Sequence, residues 1–276
     1  MTKRMAILIA SPTANTDKVK SLKELRGSFY DIDNWSTFLQ RPIGGCWNRN
    51  EIHDLSKHTV QGLFNEISHL KETDYVFFAY SGHGYNDGYD DFIFMENGTK
   101  TIKVNDIIKA IQDANSKIKG TLIFDSCRNN PLNESFVSIP APSLPLNENF
   151  FDELVDTARK DWDNQFEHCS SNGLVIIQSC QKNEKSYMRQ SGEVSVFSYH
   201  MANNGFEAQE SLDVGHAFED AFDQTYAEVK SWQNHLKKQQ PKCTYTDEKC
   251  TADYPFSLGK KSTGLNLAAA LASPNL

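Results

Sequence analysis

Two short hydrophobic runs, each stopping abruptly at a reactive side chain, constrain this chain more than any other feature. The first, YVFFAYSGHG, occupies residues 75–84, and the second, TLIFDSCRNNP, occupies residues 121–131. Residues 76–80 and 121–124 are apolar, aromatic and β-branched, which suits strands buried on both faces. Residues 104–117 read as a helix between them. If the two strands are parallel, that helix is their crossover. His83 and Cys127 then lie at the carboxyl ends of neighbouring strands, where open α/β sheets keep their sites.

The chemistry expected there is nucleophilic. A cysteine attacks a carbonyl well only as thiolate, and a nearby imidazole supplies that activation. The glycines on either side of His83 mark a tight turn where backbone comes close to a ligand. The N–H groups of Gly84 and Cys127 are the expected donors to a developing oxyanion. Taken alone, each residue reads better as a buried structural thiol or a core or turn histidine. The pairing of SGHG and DSCR at two strand ends is what favours catalysis.

These motifs resemble the caspase-like cysteine proteases, and in particular metacaspases and bacterial caspase homologues. Members of that family place the histidine roughly 50 residues before the cysteine; here the separation is 44. The triplet Asp125-Ser126-Cys127 resembles metacaspases rather than animal caspases. Leu25, Gly27 and Asp31 are similar to the L-x-G-x-x-x-D pattern that follows the first strand in metacaspases. The resemblance extends over about residues 5 to 258. It implies a caspase-like α/β fold, with a central, mostly parallel six-stranded sheet and helices on both faces. It also implies a large-subunit-like part at 1–131, an intersubunit linker at 132–172 and a small-subunit-like part at 173–276.

Composition narrows the class further. With 276 residues, 23% charged and 39% hydrophobic, the chain can bury a sizeable core as a soluble protein. A net charge of -8 and the lack of a basic run argue against a nucleic-acid partner. No stretch approaches the roughly 18 apolar residues of a membrane span, so no membrane partner is expected. The apolar run at 5–10 is too short for a secretory signal and reads as a first core strand. The six cysteines follow neither a disulfide framework nor a zinc pattern, which fits a reducing cytoplasm.

Along the chain, Ile32, Trp35, Phe38 and Leu39 recur at helical spacing, as do Val60, Leu63, Phe64 and Ile67. Residues 52–55 read as a brief edge strand and 92–95 as a short strand before an Asn97-Gly98 turn. Asp87, Asp90 and Asp91 form an acidic loop without the glutamate and spacing of an EF-hand. No cofactor or metal is required by the sequence. Calcium is allowed only because many metacaspases need it. Residues 132–172 show little core pattern, apart from a helical hint at 152–166, and contain Arg159-Lys160 as a candidate self-cleavage point. The chain resumes with a buried strand at 174–180, a helix opened by residues 196–201, and a long helix at 211–236 that Asp213 is placed to cap. Residues 240–241 and 254–256 resemble the terminal strand region, and the tail at 268–276 reads as a short docking helix or a disordered end.

The resemblance also implies a substrate pocket. Asp125, two residues before the cysteine, lines the first specificity pocket, and its carboxylate favours Arg or Lys before the cut bond. Ser179 and Glu184 border the same pocket. Lys182 stands where metacaspases carry an acid, and Glu184 is the candidate substitute. The expected partner is a protein or peptide substrate, with an activating ligand or protein as a further candidate. Two other readings stay open. One is a Cys-His hydrolase or acyltransferase acting on a small substrate. The other is a catalytically silent interaction module. A bacterial role in antiphage defence or stress-triggered death follows by analogy alone.

Overall fold

The structure, a computed structural model, describes residues 1–16, 22, 24–129, 152–189, 194–232, 238–261 and 263. The chain opens with β1 (Arg4–Ser11) and runs through α1 (Gly27–Gln40) to an edge strand, β2 (Ile52–Asp54). Helix α2 (Val60–Ile67) leads to β3 (Tyr75–Gly82). A three-strand excursion follows: β4 (Gly84–Asn86), β5 (Asp91–Met95) and β6 (Lys100–Lys103). Helix α3 (Val104–Ala114) returns the chain to β7 (Lys119–Asp125). Next come α4 (Asp152–His168), β8 (Leu174–Gln178), α5 (Val196–Glu207) and the two-residue β9 (Leu212–Asp213). Helix α6 (Val214–Ser231), β10 (Lys242–Tyr245) and β11 (Pro255–Ser257) complete it.

The central sheet has the order β10-β8-β7-β3-β1-β2. Its neighbours are parallel except β10, which runs antiparallel to β8. This is the mostly parallel six-stranded sheet expected from the sequence. Successive strand residues point to opposite faces, so both faces must be covered. Ala6, Leu8, Phe77, Ala79 and Val175 pack on one side with residues of α1, α4, α5 and α6. Ile7, Ile9, Phe78, Leu122 and Phe124 pack on the other side with residues of α2 and α3. Among the described residues no helix is long and apolar enough to cross a membrane.

Two expectations change. The connection after His83 is no simple polar segment. Strands β4, β5 and β6 form their own antiparallel sheet beside the main one. Their short length and the acidic loop inside them hid two of the three from pattern reading. The second change concerns 132–172, expected to make few core contacts. Residues 130–151 lie outside the described residues, but α4 packs firmly. Ala158, Trp162 and Phe166 are buried in the main core. Trp162 stacks on Phe166 and meets Tyr75 edge-on.

Arg159 strengthens that attachment. Its guanidinium donates to both carboxylate oxygens of Glu51 at 2.8 Å and to the Cys46 carbonyl at 2.8 Å. Arg4 lies beside this pair, between the rings of Trp47 and Trp162, 4.7 and 4.8 Å from their centroids. Breaking such a partly buried, bidentate pair is costly because it strands a charge. Arg159 therefore fastens α4 to the segment that leads into β2. Asp213 caps α6 as expected, accepting the His216 N–H at 2.8 Å. The tail at 268–276 lies outside the described residues.

Candidate active site

Strands β3 and β7 are adjacent and parallel, with Ser81 opposite Asp125. His83 and Cys127 each follow those partners by two residues, so the sheet brings both motifs to one end. The His83 backbone is held at both groups. Its N–H donates to the Ser11 carbonyl at 3.2 Å. Its carbonyl accepts from the Tyr80 hydroxyl at 2.6 Å and from the Phe94 N–H at 3.3 Å. The imidazole is buried, and Cys127 is 5% exposed.

The two glycines of SGHG make this packing possible. A Cβ on Gly82 would lie 2.2 Å from the Ser11 carbonyl oxygen. One on Gly84 would lie 2.7 Å from Ser126 Oγ and 2.8 Å from the Phe92 carbonyl oxygen. Both glycines are thus required for close approach to neighbouring protein groups, where the sequence had suggested a ligand. Gly84 sits directly against the residue preceding Cys127.

The loop after Cys127 is braced from two sides. Arg128 forms a bidentate pair with Asp91, at 3.0 and 2.7 Å, and donates to the Cys180 carbonyl at 3.1 Å. Asp91 also accepts from Asn86 and Gln178, at 2.8 and 3.0 Å. Burial alone would raise the Asp91 carboxyl, but these hydrogen bonds, led by Arg128, hold it below the usual aspartate value. The acidic loop is accordingly divided among separate partners: Asp90 pairs with Lys103 at 2.8 Å, and Asp87 accepts the N–H groups of Tyr89 and Asp90. Among the described residues no three His, Cys, Asp or Glu side chains gather as a metal site.

Beside Cys127 lies a feature richer than the sequence disclosed. Asp125 is 3% exposed, and Asp31 of α1 is 1% exposed. Ser195 bridges the two carboxylates, donating its N–H to Asp31 Oδ1 at 2.9 Å and its hydroxyl to Asp125 Oδ2. Ser81 donates to Asp31 Oδ2 at 2.6 Å. Ser186 donates to Asp125 Oδ1 at 2.6 Å, and Ser198 gives its hydroxyl and N–H to Oδ2 at 2.6 and 3.2 Å. All six donors are neutral, and among the described residues no lysine or arginine joins them. Ser186 also links this cluster to the thiol, because its carbonyl accepts from Cys127 Sγ at 3.5 Å.

The other expected pocket residues are placed differently. Ser179 is fully buried and directs its hydroxyl to the Ser126 carbonyl at 3.5 Å, so it props the cysteine turn from behind. Glu184 is a brace as well: its carboxylate accepts the N–H groups of Gln181 and Gln240, at 3.2 and 2.8 Å. Lys182 donates to the Gly88 carbonyl of the β4–β5 loop. The sequence reading gave no pocket role to Asp31, Ser81, Ser186, Ser195 or Ser198. One signal for Asp31 was available. It shares the face of Trp35 and Phe38 at helical spacing, and an acid on an apolar face calls for partners.

A sheet of this order, with a histidine and a cysteine on adjacent strand ends, defines a class of cysteine peptidase-like α/β proteins. The family model for the caspase domain matches residues 3–251, and the chain belongs to that family. Its structure is similar to the crystal structure of caspase-1 from Spodoptera frugiperda. The TM-score is 0.56 at 13% sequence identity, over 90% of this chain and 88% of that one. Among curated proteins, no sequence matches this chain. The caspase domain indicates a cysteine peptidase, and the likeness to caspase-1 carries the fold.

The carboxylate pair has a measurable consequence for pH. Burial first, and the Asp125 charge second, hold the Asp31 acid well above the ordinary aspartate value. The folded protein then keeps a proton that the unfolded chain releases, so Asp31 costs stability as pH rises from about 4 towards its native value. Asp31→Asn removes this loss. Its melting temperature relative to wild type should move in the variant's favour between about pH 4 and pH 7. A pH-independent difference would show that Asp31 carries no such burden.

Proposed function

We propose that this protein is a cysteine endopeptidase in which Cys127 is the nucleophile, His83 its base, and Asp31 with Asp125 the recognition site for a basic side chain. In this reading His83 takes the Cys127 proton, and the thiolate attacks the substrate carbonyl carbon. The N–H groups of Gly84 and Cys127 receive the developing oxyanion. His83 returns the proton to the leaving amine, and water then hydrolyses the thioester. Calcium has no part in these steps.

The observation that supports the specificity is the buried carboxylate pair with only neutral donors around it. The closeness of the two acids helps keep Asp31 protonated, and a guanidinium or ammonium group entering between them lets Asp31 release that proton to solvent and pairs with both carboxylates. Asp125 was the expected acid, with Glu184 as the candidate second one, and the geometry favours Asp31 as the partner of Asp125. A small-acyl hydrolase would have little use for two buried acids, and a silent module little use for the histidine and cysteine.

Control by self-cleavage in the connector between β7 and β8 fits this reading poorly. No lysine or arginine occurs between Arg128 and Arg159. Arg159 is fastened to Glu51, and Lys160 lies within the helix whose Trp162 and Phe166 are buried. Proteases commonly bind substrates extended, so cutting after either residue demands that α4 unwind. Activation by a bound effector, a ligand or a protein, suits these residues better.

Two measurements test the proposal. Fluorogenic peptides ending in Arg or Lys should be turned over far better than their Asp counterparts, since loss of a buried carboxylate–cation contact costs on the order of 2–5 kcal/mol. Cys127→Ala and His83→Ala should each lower kcat/KM by roughly a thousandfold or more with unchanged folding, and Asp125→Ala should depress the basic substrates most. A preference for Asp, or substantial activity in Cys127→Ala, would refute the assignment. Mass spectrometry of the working enzyme should find the chain uncut between residues 129 and 173. Activity that appears only after a cut there would restore the connector as the switch.

A further inference from the structure

Ser186 occupies the joint between the thiol and the carboxylate cluster, and it does not hold that position unaided. Gln239, in the segment before β10, is fully buried. Its side chain spends three hydrogen bonds on the pocket wall. Nε2 donates to Ser186 Oγ at 3.2 Å and to the Ser179 carbonyl at 3.0 Å. Oε1 accepts the Tyr187 N–H at 3.0 Å. The amide orientation is fixed by its partners, because an N–H faces one end and two oxygens face the other. Burying a primary amide is unfavourable unless it is paired, and a methionine would fill the same space without polar demands. All the partners of this glutamine lie in one wall.

The same wall is pinned at neighbouring points. The Gln240 N–H donates to Glu184 at 2.8 Å. The Tyr187 carbonyl accepts the Val196 N–H at 2.9 Å, just after the bridging Ser195. The Tyr187 ring meets Trp232 edge-on, with centroids 5.6 Å apart. Ser179 and Glu184, expected from the sequence to touch substrate, are thus both bound by residues 239–240.

We propose that Gln239 is a positioning residue for basic-substrate recognition, acting through Ser186. It holds the Ser186 hydroxyl on Asp125 and the Ser186 carbonyl beside Cys127, so that the carboxylates stay aimed into the pocket. It touches no substrate itself. This inference rests on the basic-pocket reading above.

The test uses the full chain carrying Cys127→Ala, so that binding is read without turnover. Affinities are measured by calorimetry for a peptide ending in arginine and for the same peptide ending in citrulline, its neutral near-isostere. The Cys127→Ala parent should prefer arginine. Adding Gln239→Met should weaken the arginine peptide about tenfold and the citrulline peptide less than about twofold, an arginine-specific loss of about 1.4 kcal/mol. In a Ser186→Ala background the same change should cost less than about twofold, because its route of action is gone. Gln239→Asn, which keeps the amide but cannot span the gap, replaces the methionine variant if the latter melts without cooperativity. Equal weakening of both peptides, or full additivity with Ser186→Ala, would overturn the proposal. A parent that prefers arginine but is unmoved by either Gln239 variant would overturn it and leave the pocket reading standing. A parent indifferent to arginine would sink both.

Discussion

Two carboxylates buried side by side are the constraint on which the site depends. Asp31 and Asp125 are each under 4% exposed, and such a pair is tolerated only if its oxygens are hydrogen-bonded and Asp31 keeps its proton. Those hydrogen bonds come from four serines at three places in the chain: Ser81 at the end of β3, Ser186 after β8, and Ser195 and Ser198 at the start of α5. Hydroxyls and N–H groups can satisfy the oxygens without cancelling the charge. On the proposed reading the site thereby keeps an attraction for a cation that an internal arginine would have consumed. The protein does use arginines in this way elsewhere: Arg128 pairs with Asp91, and Arg159 with Glu51.

The sheet makes the arrangement affordable. Parallel pairing of β3, β7 and β8 delivers three strand ends to one edge, and each contributes something different there. The end of β3 brings Ser81 and His83, the end of β7 brings Asp125 and Cys127, and the end of β8 brings the wall that runs to Ser186. Helix α1 supplies the second acid from the face of the sheet on which it packs. Contacts from the far end of the chain close the group. Gln239 and Gln240 hold the wall, while Trp232 at the end of α6 packs on Tyr187. A site whose parts come from so many separate elements depends on all of them packing in register.

Much of this was legible before any coordinates. The apolar runs of β1, β3, β7 and β8 are unbroken because both faces are buried, and such runs are easy to see. SGHG and DSCR stood out because polar, reactive residues end those runs. The small strands β4 and β6 were not legible, since three or four residues carry no period. The serine cluster was invisible for a different reason. Ser186, Ser195 and Ser198 look like ordinary loop or helix-start residues, and only tertiary contact gives them a role. Ser179 and Glu184, which the resemblance placed at the pocket border, also carry hydrogen bonds that brace the surrounding turns, and nothing in the sequence showed those bonds. The tie of Arg159 to the body of the protein was not legible either, because its partner, Glu51, is more than 100 residues away.

The central claim is that the carboxylate pair receives the basic side chain of a substrate bound to Cys127. The most direct measurement is a crystal structure of the protein inactivated by a peptide ending in an arginine chloromethyl ketone. The account predicts a thioether on Cys127 Sγ, with the guanidinium within hydrogen-bond distance of both Asp31 and Asp125. An adduct at another residue, or a guanidinium directed to solvent with the two aspartates still bonded only to serines, would contradict it.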